Sequence, residues 1–333
     1  MSNSQRSLLA AVTLFFVAPL VAEYLLGDFS ITFLSPMIMM APMYGGGALI
    51  IRELTRRTGR GWPTILLLGC AYCLIEEGYT TQTLFNPDAF GLHMHLLSHA
   101  WMPALGISAW WTLFMLNVHP FWSIGVSIAL VEGLFPSRAR TPWLGNIGVS
   151  VAAVLFAAAV YFSTVFSIRR YHFIASAAQF TVTGVIAILF IAAALLTPKP
   201  TSKSRTEPVP SPWLFGVATF LLAAAVFLAP IQFNWVAVGW ILAADLLFLL
   251  LLWVFSRCIG WTALHTFSIG AAGAIFYGVH AFLQGPVVPA PKQIVLMSHV
   301  IMLVAALAAV AIGVSRIKAD RVPSSLAIPD ASV

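Results

Sequence analysis

Long apolar stretches follow one another along almost the whole chain and are separated by short polar segments. A stretch of about 18 or more apolar residues suffices to cross a hydrocarbon core of ~30 Å. The pattern predicts ten such helices, at residues 8–26, 31–52, 62–80, 106–134, 143–166, 173–196, 212–230, 234–256, 261–284 and 292–316. The predicted fold class is therefore all-α, a polytopic transmembrane helix bundle of about ten spans.

The positions of Lys and Arg predict the orientation of this bundle, because these residues concentrate in the cytoplasmic loops of membrane proteins. With ten spans, 14 of the 17 Lys and Arg residues fall on the side of both chain ends, and only Arg169, Arg170 and Lys292 fall on the other. We therefore predict that both termini are cytoplasmic. No small-residue cleavage site follows the first stretch, which indicates a retained helix rather than a signal peptide.

Composition agrees with this picture and excludes other classes of protein. The 333 residues are 60% hydrophobic and 8% charged, and the mean hydropathy of +0.93 excludes a soluble domain. A multi-pass protein of the cell membrane is predicted, with the lipid bilayer as its partner. The net charge of +6 fits contact with anionic headgroups, and the absence of basic runs interleaved with aromatics argues against nucleic acid.

One polar segment divides the chain. Residues 197–212 are rich in Pro, Ser, Thr, Lys and Arg and predict a cytoplasmic linker, because such a segment buries too little apolar surface to fold. This places a six-span region at 1–196, a four-span region at 213–317 and a disordered cytoplasmic tail at 318–333.

The adjacent carboxylates of Glu76 and Glu77, near the end of the third stretch, are the leading candidate site. A charge at membrane depth is costly unless it is paired, hydrated or neutralised, so such a pair predicts function. In the functional interpretation Glu77 is a general base and Glu76 orients it. The alternative is a structural pair that binds hydroxyl groups of a neighbouring helix.

Further polar residues are predicted to face one outward-facing cavity together with Glu76 and Glu77. His119 and His280 are candidate ligands for an oxyanion or a water molecule. Substrate contacts are assigned to Gln82, Asn117, Gln284 and His299. Each histidine has a simpler alternative, a neutral imidazole that is hydrogen-bonded within the bundle.

A metal ion and other cofactors are not expected, although one alternative exists in the connection between the third and fourth spans. If that segment were helical, His95 and His99 would lie one turn apart, and with His93 they would form a three-histidine zinc or copper site. The simpler interpretation is an interfacial helix whose histidines face water. Cys70 and Cys73 form a CxxC pattern that is interpreted as helix packing.

Two spans contain residues that interrupt helices. The second has Pro36, Pro42 and three glycines at 45–47, which indicates either a broken helix beside a substrate site or close helix packing. In the fourth, Pro120 follows His119 and predicts a kink.

Residues 74–81, with the sequence LIEEGYTT, resemble the E-E-x-x-x-R motif of glutamate-dependent intramembrane proteases, the CAAX prenyl protease and bacteriocin-processing (CPBP) group. Phe276 to His280 is similar to that family's F-x-x-x-H, and His280 to Gln284 is near its H-x-x-x-N. Thr81 stands in place of the motif's Arg. The resemblance implies that a glutamate activates water and that histidines bind the oxyanion, without metal.

Three functions are consistent with these residues, two in which the Glu pair has an activity and one in which it has none. The leading hypothesis is a membrane-embedded hydrolase, possessing glutamate-dependent peptidase activity, that acts on a membrane peptide or a small molecule. The alternatives are a secondary transporter that uses the Glu pair for proton coupling and a non-enzymatic membrane subunit.

Overall fold

The computed structural model describes residues 2–200 and 205–320, and almost all regular structure in these ranges is helical. Ten helices are numbered here in chain order. They are α1 (Asn3–Leu25), α2 (37–57), α3 (62–80), α4 (Ala109–Leu134), α5 (Asn146–Tyr171), α6 (Ala177–Leu196), α7 (Pro212–Phe227), α8 (Trp235–Phe255), α9 (Ala263–Leu283) and α10 (Lys292–Ala319). A helix therefore lies at each of the ten positions that hydropathy predicted.

Seven of these helices are long and apolar enough to cross a membrane, namely α1, α4, α5, α6, α8, α9 and α10. Helix α7 is apolar but shorter, and α2 ends in a charged segment, Arg52 to Arg57. The protein is thus an all-α chain of the membrane type. The number of crossings and the cytoplasmic side of both termini stay predictions.

Helix α4 occupies the centre of the bundle. In its most apolar stretch 78% of the residues are buried, compared with 11% in α5 and in α8. Helix α3 packs against α4 and α6, whereas α9 packs against α7 and α10. The outer helices present Leu, Val and Phe side chains to the outside of the bundle, and polar residues of α3 and α4 are enclosed by protein.

Several helices begin at residues that satisfy their free N–H groups. Ser2 and Gln5 form a reciprocal capping pair at the start of α1, and Ser176 and Gln179 do the same at α6. At α4, the Ser108 hydroxyl accepts a hydrogen bond from the N–H of Trp111. Such caps replace the partners that the first turn of a helix lacks.

Four of the helices contain a π-helical segment. These segments are Leu20–Leu25 in α1, Ala41–Gly45 in α2, Glu76–Thr80 in α3 and Val118–Val126 in α4. Proline has no N–H to donate, and Pro42 and Pro120 lie within the second and fourth segments. The irregular second span and the distortion at Pro120 thus agree with the sequence. Helices of this type are rare and occur frequently at functional sites.

A buried ion network lies at the C-terminal ends of α2 and α4. The Arg52 side chain is fully buried, and its guanidinium donates to Glu53 and to Glu132, each at 3.0 Å. Arg56 adds two further hydrogen bonds to Glu132, at 2.9 and 2.7 Å. In the sequence these arginines are signals of orientation only. In the fold they tie α2 to α4.

The connections differ from expectation in two places. Pro212, the last residue of the predicted linker, begins α7, and α10 continues to Ala319, two residues into the predicted tail. Residues 201–204 of the linker and 321–333 of the tail lie outside the described residues. Between α3 and α4 the chain forms turns and a short antiparallel pair, β1 (Trp101–Met102) with β2 (Ile107–Ser108).

Replacing Gly45 with alanine is expected to destabilise the protein by about 1 to 3 kcal/mol. A Cβ atom at Gly45 would overlap the carbonyl oxygen of Phe15, so α1 and α2 would have to separate. The matched control is Gly239→Ala in α8, where nothing lies within 4 Å of the added atom. The control is expected to leave stability unchanged or to raise it by up to about 1 kcal/mol. Thermal unfolding in detergent compares the two, and equal effects would contradict the close contact.

Candidate functional site

The two adjacent glutamates begin the π-helical segment of α3 and point into the bundle. Glu76 is 3% exposed and Glu77 is 6% exposed, and His119 from α4, 4% exposed, lies between their carboxylates. Its Nε2 is 2.8 Å from Oε1 of Glu77, and its Nδ1 is 3.1 Å from Oε2 of Glu76. One imidazole therefore meets both members of the pair.

The Glu77 carboxylate is held on both oxygens. Oε1 is hydrogen-bonded to Nε2 of His119, and Oε2 accepts hydrogen bonds from the hydroxyls of Thr81, at 3.1 Å, and of Thr83. Thr83 in turn accepts a hydrogen bond from Trp111 Nε1 at 3.1 Å. An ionised carboxylate only accepts hydrogen bonds, so with Glu77 ionised this contact requires a proton on Nε2 of His119.

The Glu76 carboxylate is different, because its Oε2 is buried and makes no hydrogen bond within the described structure. The distance to Nδ1 of His119 is short, but the alignment is unsuitable for a bond. The Tyr72 hydroxyl lies within reach of Glu76 and is likewise buried without a well-aligned hydrogen bond. Since buried polar atoms are nearly always paired, these two atoms have hydrogen-bonding capacity that a small polar molecule would fill.

Helices α1 and α2 complete the wall of the site. The hydroxyl of Tyr44 donates to Oε1 of Glu23 at 2.5 Å, and the Tyr44 ring is stacked on the His119 ring with centroids 6.3 Å apart. Glu23 is close enough to Glu76 for their charges to repel. Each of the four π-helical segments therefore contributes a side chain to one cluster, which we call the Glu–His site: Glu23, Tyr44, Glu76, Glu77 and His119.

The Glu–His site also has the composition of a metal centre. One ligand atom from each of Glu76, Glu77 and His119 lies within 4.8 Å of the other two. Two carboxylates and an imidazole suit divalent transition metals. The donor set thus fits a metal ion as well as it fits a water molecule.

The histidines predicted as an alternative metal site are arranged differently. The segment that carries His93, His95 and His99 is not helical, so the one-turn spacing on which that hypothesis depended is wrong. His93 and His95 have positive φ angles of 51°, which ends any helix at these positions. Both side chains are exposed, and His93 lies 3.1 Å from Asp88.

The other two candidate histidines have neighbours away from the glutamate pair. His280 is stacked on Phe276, with ring centroids 5.6 Å apart, and lies against Phe227. His299 packs against Phe282. The structure therefore brings together His119 and the glutamates, and it gives His280 and His299 aromatic surroundings.

The remaining predicted residues make their hydrogen bonds outside the Glu–His site. The Gln82 side chain accepts a hydrogen bond from the N–H of Ala175 at 2.7 Å. Gln284 donates to Asp28 at 2.6 Å, in the connection after α1. Burial raises the pKa of Asp28 to about 7, although the hydrogen bond from Gln284 opposes the shift. Asn117 donates to Asp245, a residue that the sequence analysis did not consider.

Sequence reasoning also missed Tyr44, Tyr72 and Thr83. Tyr44 had a usable signal, because it lies between Pro42 and the glycines that predicted an irregular helix. Tyr72 and Thr83 had none, since buried tyrosine and threonine are common in any bundle.

Comparison with known proteins connects the site to a family. A model of an uncharacterized membrane protein family matches residues 12–202, more than half of the 333-residue chain. This region contains all five residues of the Glu–His site. No curated protein and no solved structure matches the chain, and nothing in the comparisons supports the resemblance to the CPBP proteases. The chain therefore belongs to this uncharacterized family of membrane proteins.

Proposed function

We propose that the protein is a membrane-embedded hydrolase whose reacting group is the Glu–His site. The observation that carries the proposal is the unpaired, buried Oε2 of Glu76 beside a histidine that Glu77 holds in place. A carboxylate and an imidazole within hydrogen-bond reach of one bound molecule are the usual components of general acid–base catalysis.

The tautomer of His119 indicates how a water molecule would be bound. With the proton on Nε2, Nδ1 is an acceptor; the Ser123 hydroxyl lies 3.4 Å from it, and a second acceptor, Oε2 of Glu76, lies 3.1 Å from it. A water that donates one O–H to each of these atoms satisfies both and keeps its lone pairs free to attack a carbonyl carbon. Glu76 takes a proton as the water attacks and returns it to the amine or alcohol that leaves, while Nδ1 of His119 holds the second O–H of the water.

This mechanism exchanges the roles that the sequence analysis assigned. Both oxygens of Glu77 are occupied by His119, Thr81 and Thr83, so Glu77 orients the imidazole. Glu76 has the free oxygen and is the base. The substrate class is a membrane peptide or an apolar small molecule that contains an amide or ester bond.

The test follows the incorporation of oxygen from water into the products. This approach needs no prior choice of substrate. Purified protein is incubated with a membrane extract of its host in H₂¹⁸O, and new carboxyl groups that contain ¹⁸O are identified by mass spectrometry. We expect labelled products with the unmodified protein and background labelling with Glu76→Gln. Glu207→Gln, an exposed carboxylate of the linker, is the matched control and is expected to retain the labelling. Labelling that survives Glu76→Gln contradicts the proposal.

A second candidate, a proton-coupled transporter, is favoured by one further observation. Glu23, Tyr44, Glu76, His119 and Glu77 form a series of side chains able to hold a proton, and they extend from α1 to α3. Series of this kind occur along proton pathways in membranes. Absence of ¹⁸O labelling, together with proton uptake by proteoliposomes that Glu76→Gln abolishes, would select this candidate over the hydrolase.

A further inference from the structure

A cavity of about 220 Å³ lies between α3, α4, α7 and α8, apart from the residues of the Glu–His site. Leucine, phenylalanine, alanine and valine side chains form most of its wall. Three oxygen-bearing side chains interrupt this surface: Asn117, Thr219 and Asp245. The Thr219 hydroxyl donates to the carbonyl of Phe215 in its own helix at 2.7 Å. Asn117 and Asp245 are therefore the polar feature of the cavity.

Asp245 is placed where a carboxylate is most costly. It is the eleventh of the 21 residues of α8, and it is the one charged residue of this helix. The most apolar stretch of this helix has a mean hydropathy of 2.4, and only 11% of that stretch is buried by protein. A carboxylate at the centre of such a helix indicates function, because packing alone does not compensate for its desolvation.

The hydrogen bonds of the pair determine what it can bind. The Asn117 amide nitrogen donates to Oδ2 of Asp245 and to the carbonyl of Leu113, each at 3.0 Å, so both of its hydrogens are used. Within residues 2–200 and 205–320, neither Oδ1 of Asp245 nor Oδ1 of Asn117 accepts a hydrogen bond. The pair therefore offers two oxygen acceptors, one of them on an acidic group, and no free donor.

We propose that this cavity binds an amphiphile that carries a protonated amine on an alkyl chain. The ammonium group donates to the two free oxygens and compensates the charge of Asp245, and the chain lies along the leucine and phenylalanine side chains. A hydrogen-bond acceptor at the same place would be repelled by both oxygens. The inference is independent of the proposed hydrolase, since it uses none of the residues assigned to catalysis.

The test is photolabelling of the full-length protein in phosphatidylcholine nanodiscs. The probe is a twelve-carbon primary amine with a diazirine in its chain, and the alcohol of the same chain is its matched partner. We expect the amine to label α4 and α8 about tenfold or more above the alcohol, because a charge-assisted hydrogen bond adds at least this factor to an affinity. Equal labelling by the two probes overturns the proposal.

Two variants assign the effect to the carboxylate. Asp245→Asn keeps the shape and removes the charge, and it is expected to reduce labelling by the amine to the level of the alcohol. Glu207→Gln removes an exposed carboxylate outside the cavity and is expected to keep labelling by the amine within about twofold. Retention of labelling in Asp245→Asn overturns the proposal. If Asp245→Asn does not fold, competition on the unmodified protein decides: dodecylamine must displace the probe and dodecanol must not.

Discussion

Replacement of Arg52 with methionine is expected to lower the free energy of unfolding by about 3 to 5 kcal/mol, the range for breaking a buried ion pair. The guanidinium is fully buried and donates to Glu53 and Glu132. Its Nη2 also donates to three backbone carbonyls, those of Arg138, Ala139 and Thr141. Methionine keeps the unbranched apolar part of the side chain and replaces none of these hydrogen bonds, so two carboxylates lose a partner inside the protein. Thermal or denaturant unfolding in detergent measures the change.

Two other substitutions separate the network from the loss of a positive charge. Arg6→Met removes an exposed arginine near the start of α1 and is expected to change stability by less than about 0.5 kcal/mol. Arg52→Lys keeps the charge but has three donors and no planar fork, so its effect should lie between those of the other variants. If Arg52→Met and Arg6→Met are equally stable, the network does not stabilise the fold.

The helices were predictable because the cost of exposing backbone and polar groups to lipid makes the apolar stretches long and nearly continuous. The glutamate pair was predictable for the same reason, since Glu76 and Glu77 stand out in such a stretch. The structural role of Arg52 was not predicted, because the preference of Lys and Arg for cytoplasmic loops already explains a basic residue near a helix end. Its contacts with residues 132–143 depend on tertiary structure, which hydropathy does not describe.

The partner of the pair was less predictable. Three histidines were candidates, and periodicity alone could not select His119, which is 42 residues from Glu77. In an α-helix adjacent side chains point ~100° apart, but a π-helical turn contains an additional residue and changes the faces on which later residues lie. Glu76 and Glu77 lie in such a π-helical segment, and their side chains contact one imidazole from opposite sides.

Asp245 shows the opposite case, a signal that was present and not used. A single acidic residue at the centre of a helix of 21 residues hardly changes the mean hydropathy, and the helix was recognised without it. The same argument that selected Glu76 and Glu77 applies to it, because the cost of a charge depends on depth rather than on the presence of an acidic neighbour.

Replacing each of the two glutamates of the site with glutamine is expected to change the stability of the protein in opposite directions. Glu77→Gln should lower the free energy of unfolding by about 2 to 3 kcal/mol, because hydrogen bonds to a charged group are worth about 1.5 to 3 kcal/mol and the amide cannot accept from His119, Thr81 and Thr83 together. Glu76→Gln should leave stability unchanged or raise it by about 1 to 2 kcal/mol. Unfolding midpoints of both variants in one detergent measure the difference.

The physical reason lies in the unpaired oxygen of Glu76. Its Oε2 is buried without a hydrogen bond, 3.1 Å from Nδ1 of His119, and a neutral glutamine amide costs less to bury at this position than a charged carboxylate does. Removing the charge also removes its repulsion with Glu23. If replacing Glu76 stabilises the fold and abolishes ¹⁸O labelling, Glu76 serves the reaction rather than the stability of the fold. Functional sites of natural proteins contain such destabilising residues where activity requires them. If Glu76→Gln destabilises the protein as much as Glu77→Gln does, the pair is structural and Glu76 is not the base.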